Sequence, residues 1–199
     1  LEAMQERQVT IGNQTFKLQE PFLVLATQNP IEQEGTYNLP EAQADRFLLK
    51  VKIGYPSFEE ERMIMRRNLD DDAPEVSKIL SLKTLLQARE AVKQIYLDEK
   101  IEQYILQIVF ATREPAQYGL GKIAPLLSYG ASPRATIALA KASRAMAFLN
   151  RRGFVTPDDV RAICPDVLRH RVGLTFEAEA ENIGQEEIIE SVLASVVIP

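Results

Sequence analysis

Apolar positions along this chain change their period once, near residue 54, and the two sides predict different structure. Between Gln8 and Leu18, Val9 and Ile11 alternate with polar neighbours, and so do Phe16 and Leu18. Gly12-Asn13 lies between the two pairs, so the pattern predicts a hairpin with a turn that tolerates positive φ. Phe22-Leu23-Val24-Leu25-Ala26 is a continuous apolar run, as expected of a strand buried on both faces, and polar Thr27-Gln28-Asn29 and Pro30 close it. Pro40 to Arg46 reads as a short helix with proline in its first turn. Phe47 to Ile53 reads as a second, mostly apolar strand.

Beyond the break Gly54-Tyr55-Pro56-Ser57 the spacing is helical. Ser57 with Glu60 forms a capping box, and Leu82, Leu85, Leu86 and Val92 share one helix face. Asp98 caps a segment that carries Ile101, Tyr104, Ile105, Ile108 and Val109 on one face. Ser132-Pro133 starts a helix with Ala135, Ala138, Leu139, Ala142, Ala145, Met146 and Leu149 at i+3 and i+4 steps. Thr156-Pro157-Asp158-Asp159 caps another helix, with Val160, Ile163 and Cys164 inward; Pro165 is expected to kink or end it. The expected organisation is therefore a partial α/β piece over residues 1–54, with two strands and a hairpin, followed by an all-helical piece over residues 55–199. Two strands of the doubly buried type cannot cover their own faces, so partner strands are expected from outside this sequence. Residues 1–7 read as the end of a helix with no capping residue before it, and they point the same way: to a piece of a longer polypeptide.

Composition narrows the function classes. Hydrophobic residues at 46% and charged residues at 26% are the balance of a globular protein. No stretch approaches the roughly 20 apolar residues of a membrane span. A net charge of −5 argues against a nucleic-acid binder. Arg151, Arg152, Arg161, Arg169 and Arg171 enrich the last third in arginine, and are expected to form a solvated face. The single cysteine, Cys164, rules out an internal disulfide and fits a reducing, cytoplasmic location.

Three residues are placed where they could meet a phosphate. Asn29 follows the expected buried strand, at the carboxyl end where open α/β sheets bind ligands; a turn-forming role before Pro30 explains it equally well. Arg46 ends the short helix and could present a rigid, permanent charge to a neighbouring subunit's phosphate, or form a salt bridge with Asp45 or Glu41. Arg134 falls in the first turn of a helix, beside the positive end of the helix dipole, where a cation costs a few tenths of a kcal/mol up to about 1. A helix N-terminus with an arginine suits an anion; a solvent-exposed arginine tolerated at that cost is the alternative. His170, the only histidine, has no cysteine partner at metal-ligand spacing, and Cys164 reads as core. The sequence holds no Gly-x-x-x-x-Gly-Lys-[Ser/Thr] loop and no apolar strand ending in Asp-Glu for magnesium.

Four stretches together resemble the MoxR family of AAA+ ATPases. They are Leu-Glu-Ala-Met-Gln-Glu-Arg-Gln-Val-Thr (1–10), Ala-Thr-Gln-Asn-Pro-Ile-Glu-Gln-Glu-Gly-Thr-Tyr (26–37), Leu-Pro-Glu-Ala-Gln-Ala-Asp-Arg-Phe (39–47) and Gly-Ala-Ser-Pro-Arg-Ala (130–135). The resemblance implies that residues 1–54 are the C-terminal part of a P-loop AAA+ core, without Walker A and Walker B, and that 55–199 are the helical lid. It implies Asn29 as sensor 1, Arg46 as an arginine finger acting in trans, and Arg134 as sensor 2, in contact with phosphate in its own subunit. It implies ATP with Mg²⁺, whose ligands lie outside this sequence, and a ring, commonly a hexamer. It also implies chaperone-like action on client proteins, often with von Willebrand factor A domains. Without the phosphate cradle, these residues alone are not expected to hydrolyse ATP. Three further readings stay open: the motor subunit of a metal chelatase, a helical protein-interaction module over 54–199, and a DNA-binding helix-turn-helix over 156–171. The net charge disfavours the last.

Overall fold

The computed structural model describes residues 2–28, 39–69 and 75–199. Helix α1 (Glu2–Glu6) leads into the hairpin β1 (Gln8–Ile11) and β2 (Gln14–Lys17), paired antiparallel with Val9 opposite Phe16. Gly12 makes the turn at φ +60°, a conformation that costs glycine nothing. Then come α2 (Glu41–Ala44), α3 (Phe58–Leu69), α4 (Leu82–Lys93) and α5 (Glu99–Arg113). A short strand β3 (Leu127–Tyr129) precedes α6 (Pro133–Leu149) and α7 (Pro157–Leu168), and β4 (Gly173–Leu174), α8 (Phe176–Ala180) and α9 (Gln185–Ser195) complete the chain. The architecture is a small α/β segment followed by a helical assembly, with two small antiparallel sheets, β1-β2 and β3-β4.

The two apolar runs expected as strands do not pair. Residues 22–28 and 49–57 belong to no helix or strand among the described residues, and Leu25 and Ile53 are 84% and 91% exposed. Strands of this composition form only when both edges find neighbours, because an isolated strand leaves its N–H and C=O groups without partners and its apolar faces wet.

The core is built entirely by the later residues: among the described residues, none before Ile95 is buried. Ile101, Tyr104, Ile105, Ile108 and Val109 of α5 meet Ala135, Ala138, Leu139 and Ala142 of α6. Val160, Cys164, Val167 and Leu168 of α7 and Ile188, Ile189 and Val192 of α9 close the other side. Alanines on α6 let α7 approach closely, since interaxial distance is set by the side chains at the contact. The inward face of α6 runs to Ala147; Ala145 and Met146 are half-buried, and Leu149 is 72% exposed. Helix α4 buries nothing fully, and only Ala88, Arg89 and Val92 are partly covered.

The expected caps form. Ser57 N and Oγ both donate to Glu60 Oε2, Asp98 accepts from Lys100 N at 3.0 Å, and Thr156 and Asp159 make a full capping box. Pro165 does not end α7 at its position. The helix continues to Leu168, because Val167 and Leu168 are wholly buried and Arg169 N donates to Pro165 O at 2.9 Å. Tertiary packing here outweighs the proline's missing donor. Among the described residues, no helix is long and apolar enough to cross a membrane.

Candidate functional site

The start of α6 is fixed from below by α5. Thr112 Oγ1 donates to Val109 O at 2.7 Å and accepts from Ala131 N at 3.0 Å, while Arg113 Nε donates to Ala131 O at 2.6 Å. A Cβ on Gly130 would strike the Thr112 carbonyl, so glycine is what lets this loop lie on the helix. Ser132 then caps α6 by accepting from Arg134 N at 3.1 Å.

The anion at this helix N-terminus is the chain's own Asp45, from the turn after α2. Its Oδ2 accepts from Ser132 Oγ at 2.8 Å and from Arg134 Nη1 at 3.1 Å. Its Oδ1 accepts from Arg171 Nε at 2.9 Å. Burial by itself would raise the Asp45 pKa, but the bonds from Ser132, Arg134 and Arg171 outweigh it and hold the carboxyl below the ordinary aspartate range. Two guanidiniums share one carboxylate, which leaves a net positive charge.

Arg171 is only 4% exposed and works as a clamp. Besides Asp45 Oδ1, it donates to the carbonyls of Asp45 (3.0 Å), Phe47 (2.5 Å), Leu48 (3.1 Å) and Val167 (2.6 Å). Its two neighbours extend the grip. His170 Nε2 bonds Phe47 O at 3.0 Å; burial, with the Arg171 and Lys50 charges, pushes its pKa down to about 4, so the ring is neutral and donates. Arg169 donates to Glu186 Oε1 at 2.6 Å, to Asp166 Oδ1 at 2.8 Å and to Lys50 O, while Lys50 N donates to Asp166 O at 2.8 Å. The segment 45–50, which turns and bends after α2 and has no strand partner among the described residues, is thus held through its backbone by Arg169-His170-Arg171.

Of the three residues singled out from the sequence, the described residues include Arg46 and Arg134. Arg134, half-exposed, pairs with Asp45, the residue directly before Arg46. It is neither free in solvent nor unopposed at the dipole, because Asp45 compensates it. Arg46 is partly buried, and its Nε is buried without a hydrogen-bond partner among the described residues. It makes no ion pair with Asp45 or Glu41 among the described residues; Asp45 is taken by Arg134 and Arg171. Asn29 lies outside the described residues.

The expected solvated arginine face is not one. Arg171 is buried, and Arg152 pairs with the buried Asp159 at 2.5 Å. Arg161 donates to Tyr104 Oη at 3.2 Å and to Leu193 O at 2.8 Å. The sequence offered Asp45 only as a salt-bridge partner of Arg46 and Arg171 only as part of a solvated face, and neither as part of this site. The available signal was an Arg-His-Arg triplet just past a helix whose inward face is apolar, a place where a charge needs a partner.

The donors at this site fit a phosphate: a half-exposed guanidinium, a helix N-terminus and an excess of positive charge. Among the described residues, no group of three or more His, Cys, Asp or Glu could hold a metal ion. Cys164 is buried, and its thiol is pushed up to about 12 by burial, which suits core rather than a nucleophile.

The chain as a whole is similar to known proteins. Residues 1–49 match the model of the ATPase family associated with various cellular activities (AAA), and residues 122–192 match that of the AAA lid domain. The chain is 47% identical over its whole length to the chaperone MoxR1 of Mycobacterium tuberculosis, spanning 52% of that protein. It is 40% identical, again over all of its length, to the uncharacterised protein YeaC of Bacillus subtilis, spanning 60% of it. Among solved structures, a candidate ATPase from Cytophaga hutchinsonii superposes with a TM-score of 0.93 at 49% identity, with all of this chain matched to 60% of that one. The chain therefore spans little more than half the length of the relatives it matches.

Proposed function

We propose, from the premise that this chain belongs to the MoxR-type AAA+ proteins, that it is the sensing and lid part of an ATP-driven protein-remodelling machine. Residues 1–54 are the C-terminal part of the AAA+ core, and 55–199 are the lid. Arg46 is the arginine finger, supplying charge to ATP held by a neighbouring subunit. Arg134 is sensor 2, and Asn29 is sensor 1, orienting the attacking water. The observation that supports this reading most directly is the positive cluster where the AAA-type segment meets the lid: Arg134 at a helix N-terminus, paired with Asp45, which also pairs with Arg171 and directly precedes Arg46. That link favours a second reading of Arg134, in which it and Arg46 address the same phosphate rather than phosphates in different subunits.

ATP supplies the transferable phosphoryl group, and Mg²⁺ would be held by residues outside this sequence, which contains no Walker A loop. The chain's own part is to place guanidinium charge where negative charge develops on the phosphate. Assembly is a homo-oligomeric ring, taken as a hexamer. The clients are other proteins, with von Willebrand factor A-domain partners as the first class to test, and the setting is cytoplasmic. These 199 residues alone bind ATP poorly and do not turn it over.

The test is steady-state ATP hydrolysis by the full-length protein. Arg46→Ala should lower kcat by about 10³-fold or more, on the scale of a lost arginine finger, with nucleotide binding largely kept. Mixing Arg46→Ala subunits with Walker B-deficient subunits should restore part of the activity. Undiminished turnover in Arg46→Ala, or no rescue in any mixture, would remove the trans role. The same mixing with Arg134→Ala separates the two readings of sensor 2, because a residue acting on the neighbour's nucleotide is rescued in the same pattern as Arg46.

A further inference from the structure

We propose that Asp45 is a positioning residue that competes with phosphate for Arg134, and so links occupancy of the sensor to the placement of Arg46. The inference rests on the phosphate-sensing reading above and adds a component to it. Asp45 Oδ2 sits where an anion at the α6 N-terminus belongs, accepting from Ser132 Oγ at 2.8 Å and from Arg134 Nη1 at 3.1 Å.

Three features make this pair exchangeable rather than a fixed strut. First, the two cations on Asp45 differ in burial. Arg171 is 2% exposed at its side chain and committed to Asp45 and four carbonyls, whereas Arg134 is 45% exposed and, among the described residues, has Asp45 as its one guanidinium partner. Second, a phosphate oxygen that takes Arg134 does not strand the carboxylate, because Arg171 Nε still serves Oδ1 at 2.9 Å. The usual cost of breaking a partly buried pair, an uncompensated charge, is therefore avoided. Third, a phosphate carries more than one negative charge, so it outbids a single carboxylate for the same guanidinium.

Asp45 is covalently next to Arg46, and Arg171 holds the backbone at 45, 47 and 48. Release of Oδ2 leaves the segment anchored at its carbonyls and frees only the side that faces α6. A change of partner at Arg134 therefore acts on the Asp45 side chain and the turn at 45–46 that carries Arg46, while the carbonyls of 45, 47 and 48 stay held by Arg171.

The experiment uses the full-length protein, with a fluorescent non-hydrolysable ATP analogue for affinity and steady-state turnover for kcat. Asp45→Asn removes the competing charge and keeps an acceptor for Arg171. The analogue should bind about two- to fivefold more tightly, the size of one half-exposed ion pair. Over the same substitution kcat should fall at least about threefold, because Arg46 loses its link to the sensor. On an Arg134→Ala background, Asp45→Asn should no longer tighten binding. A merely structural Asp45 would weaken binding in both backgrounds by the same factor, and that result overturns the proposal. Ser132→Gly is the second variant: it deletes one tie to Asp45 while keeping a residue tolerated as an N-cap, and exposes no buried charge. It should tighten binding by up to about twofold, and no tightening in it decides against the proposal if Asp45→Asn fails to fold. Full turnover in both Arg46→Ala and Arg134→Ala would instead remove the phosphate reading itself. If those two variants are impaired while Asp45→Asn and Arg134→Ala are additive, the competition alone falls.

Discussion

Replacing Asp159 by alanine deletes the acceptor of five hydrogen bonds at one point of the lid. Arg152 Nη1 and Nη2 reach its carboxylate at 2.6 and 2.5 Å, Thr156 N and Oγ1 at 2.9 and 3.0 Å, and Asn150 Nδ2 at 3.3 Å. Its side chain is 1% exposed, while that of Arg152 is 29% exposed. The capping half of this arrangement is worth about 1 kcal/mol, the usual cost of losing an N-terminal box. Breaking a buried pair ranges from about 3 to 5 kcal/mol when the remaining charge stays dry. Arg152 can turn to water, so about 2 kcal/mol is the appropriate share, and the total loss is about 3 kcal/mol. The assay is urea unfolding followed by far-ultraviolet circular dichroism, with Asp158→Ala as control: Asp158 is exposed in the same turn and should cost no more than about 1 kcal/mol. The pH dependence supplies a second reading. Burial raises the Asp159 pKa, but the bonds from Arg152 and Thr156 more than reverse it, so its folded value lies below the unfolded one. The unfolded chain then binds more protons in that interval, so this contribution is present above the unfolded pKa and is lost as pH falls through the folded one. The acid limb of the stability profile should therefore be shallower in Asp159→Ala than in the original chain. A loss below about 1 kcal/mol, or an unchanged acid limb, would refute this account of the capping pair.

His170 should stay neutral well into acid. Its pKa is lowered from 6.5 to about 4, so between those values the unfolded chain binds the extra proton and stability should fall as pH drops; nuclear magnetic resonance titration of this single ring should show no midpoint near 6.5. Cys164 should resist a thiol-alkylating reagent in the folded chain and react at once in denaturant, which mass spectrometry would show; rapid native labelling would contradict its burial. Leu139→Ala, at a position with no exposure between α5 and α7, should cost about 2–5 kcal/mol in the same urea assay. Gly130→Ala should also destabilise, because the new methyl meets the Thr112 backbone carbonyl rather than a movable side chain.

Local signals along the chain were sufficient for much of the helical part. Asp98 and Ser132 cap where they were expected to, and the face Ile101-Tyr104-Ile105-Ile108-Val109 is buried in full, because capping and a 3.6-residue period act within a few residues of one another. The hairpin was legible for the same reason: Gly12 sits between two alternating segments that pair directly. The MoxR resemblance was likewise carried by contiguous motifs, and the family comparisons bear it out.

What depends on distant partners was decided only in three dimensions. The apolar runs 22–26 and 47–53 have the composition of strands, yet strand formation needs neighbours along both edges, and the described residues provide none. Helix α7 runs past Pro165 because Val167 and Leu168 are buried by other helices, a stabilisation no local propensity contains. The charges show this most clearly. Arg152, Arg169 and Arg171 look alike in a list of arginines, but one caps a buried aspartate, one bridges two carboxylates and one clamps a segment more than a hundred residues earlier in the chain. Composition and periodicity determined which residues could form helices and, for α5 and most of α6, which of those would be buried; Leu82, Leu85, Leu86 and Leu149 had the same spacing and stay exposed. Only the tertiary structure determined that Asp45 stands between Arg134 and Arg171, because an ion pair depends on distance in space and on shared burial, and neither is encoded in spacing along the chain.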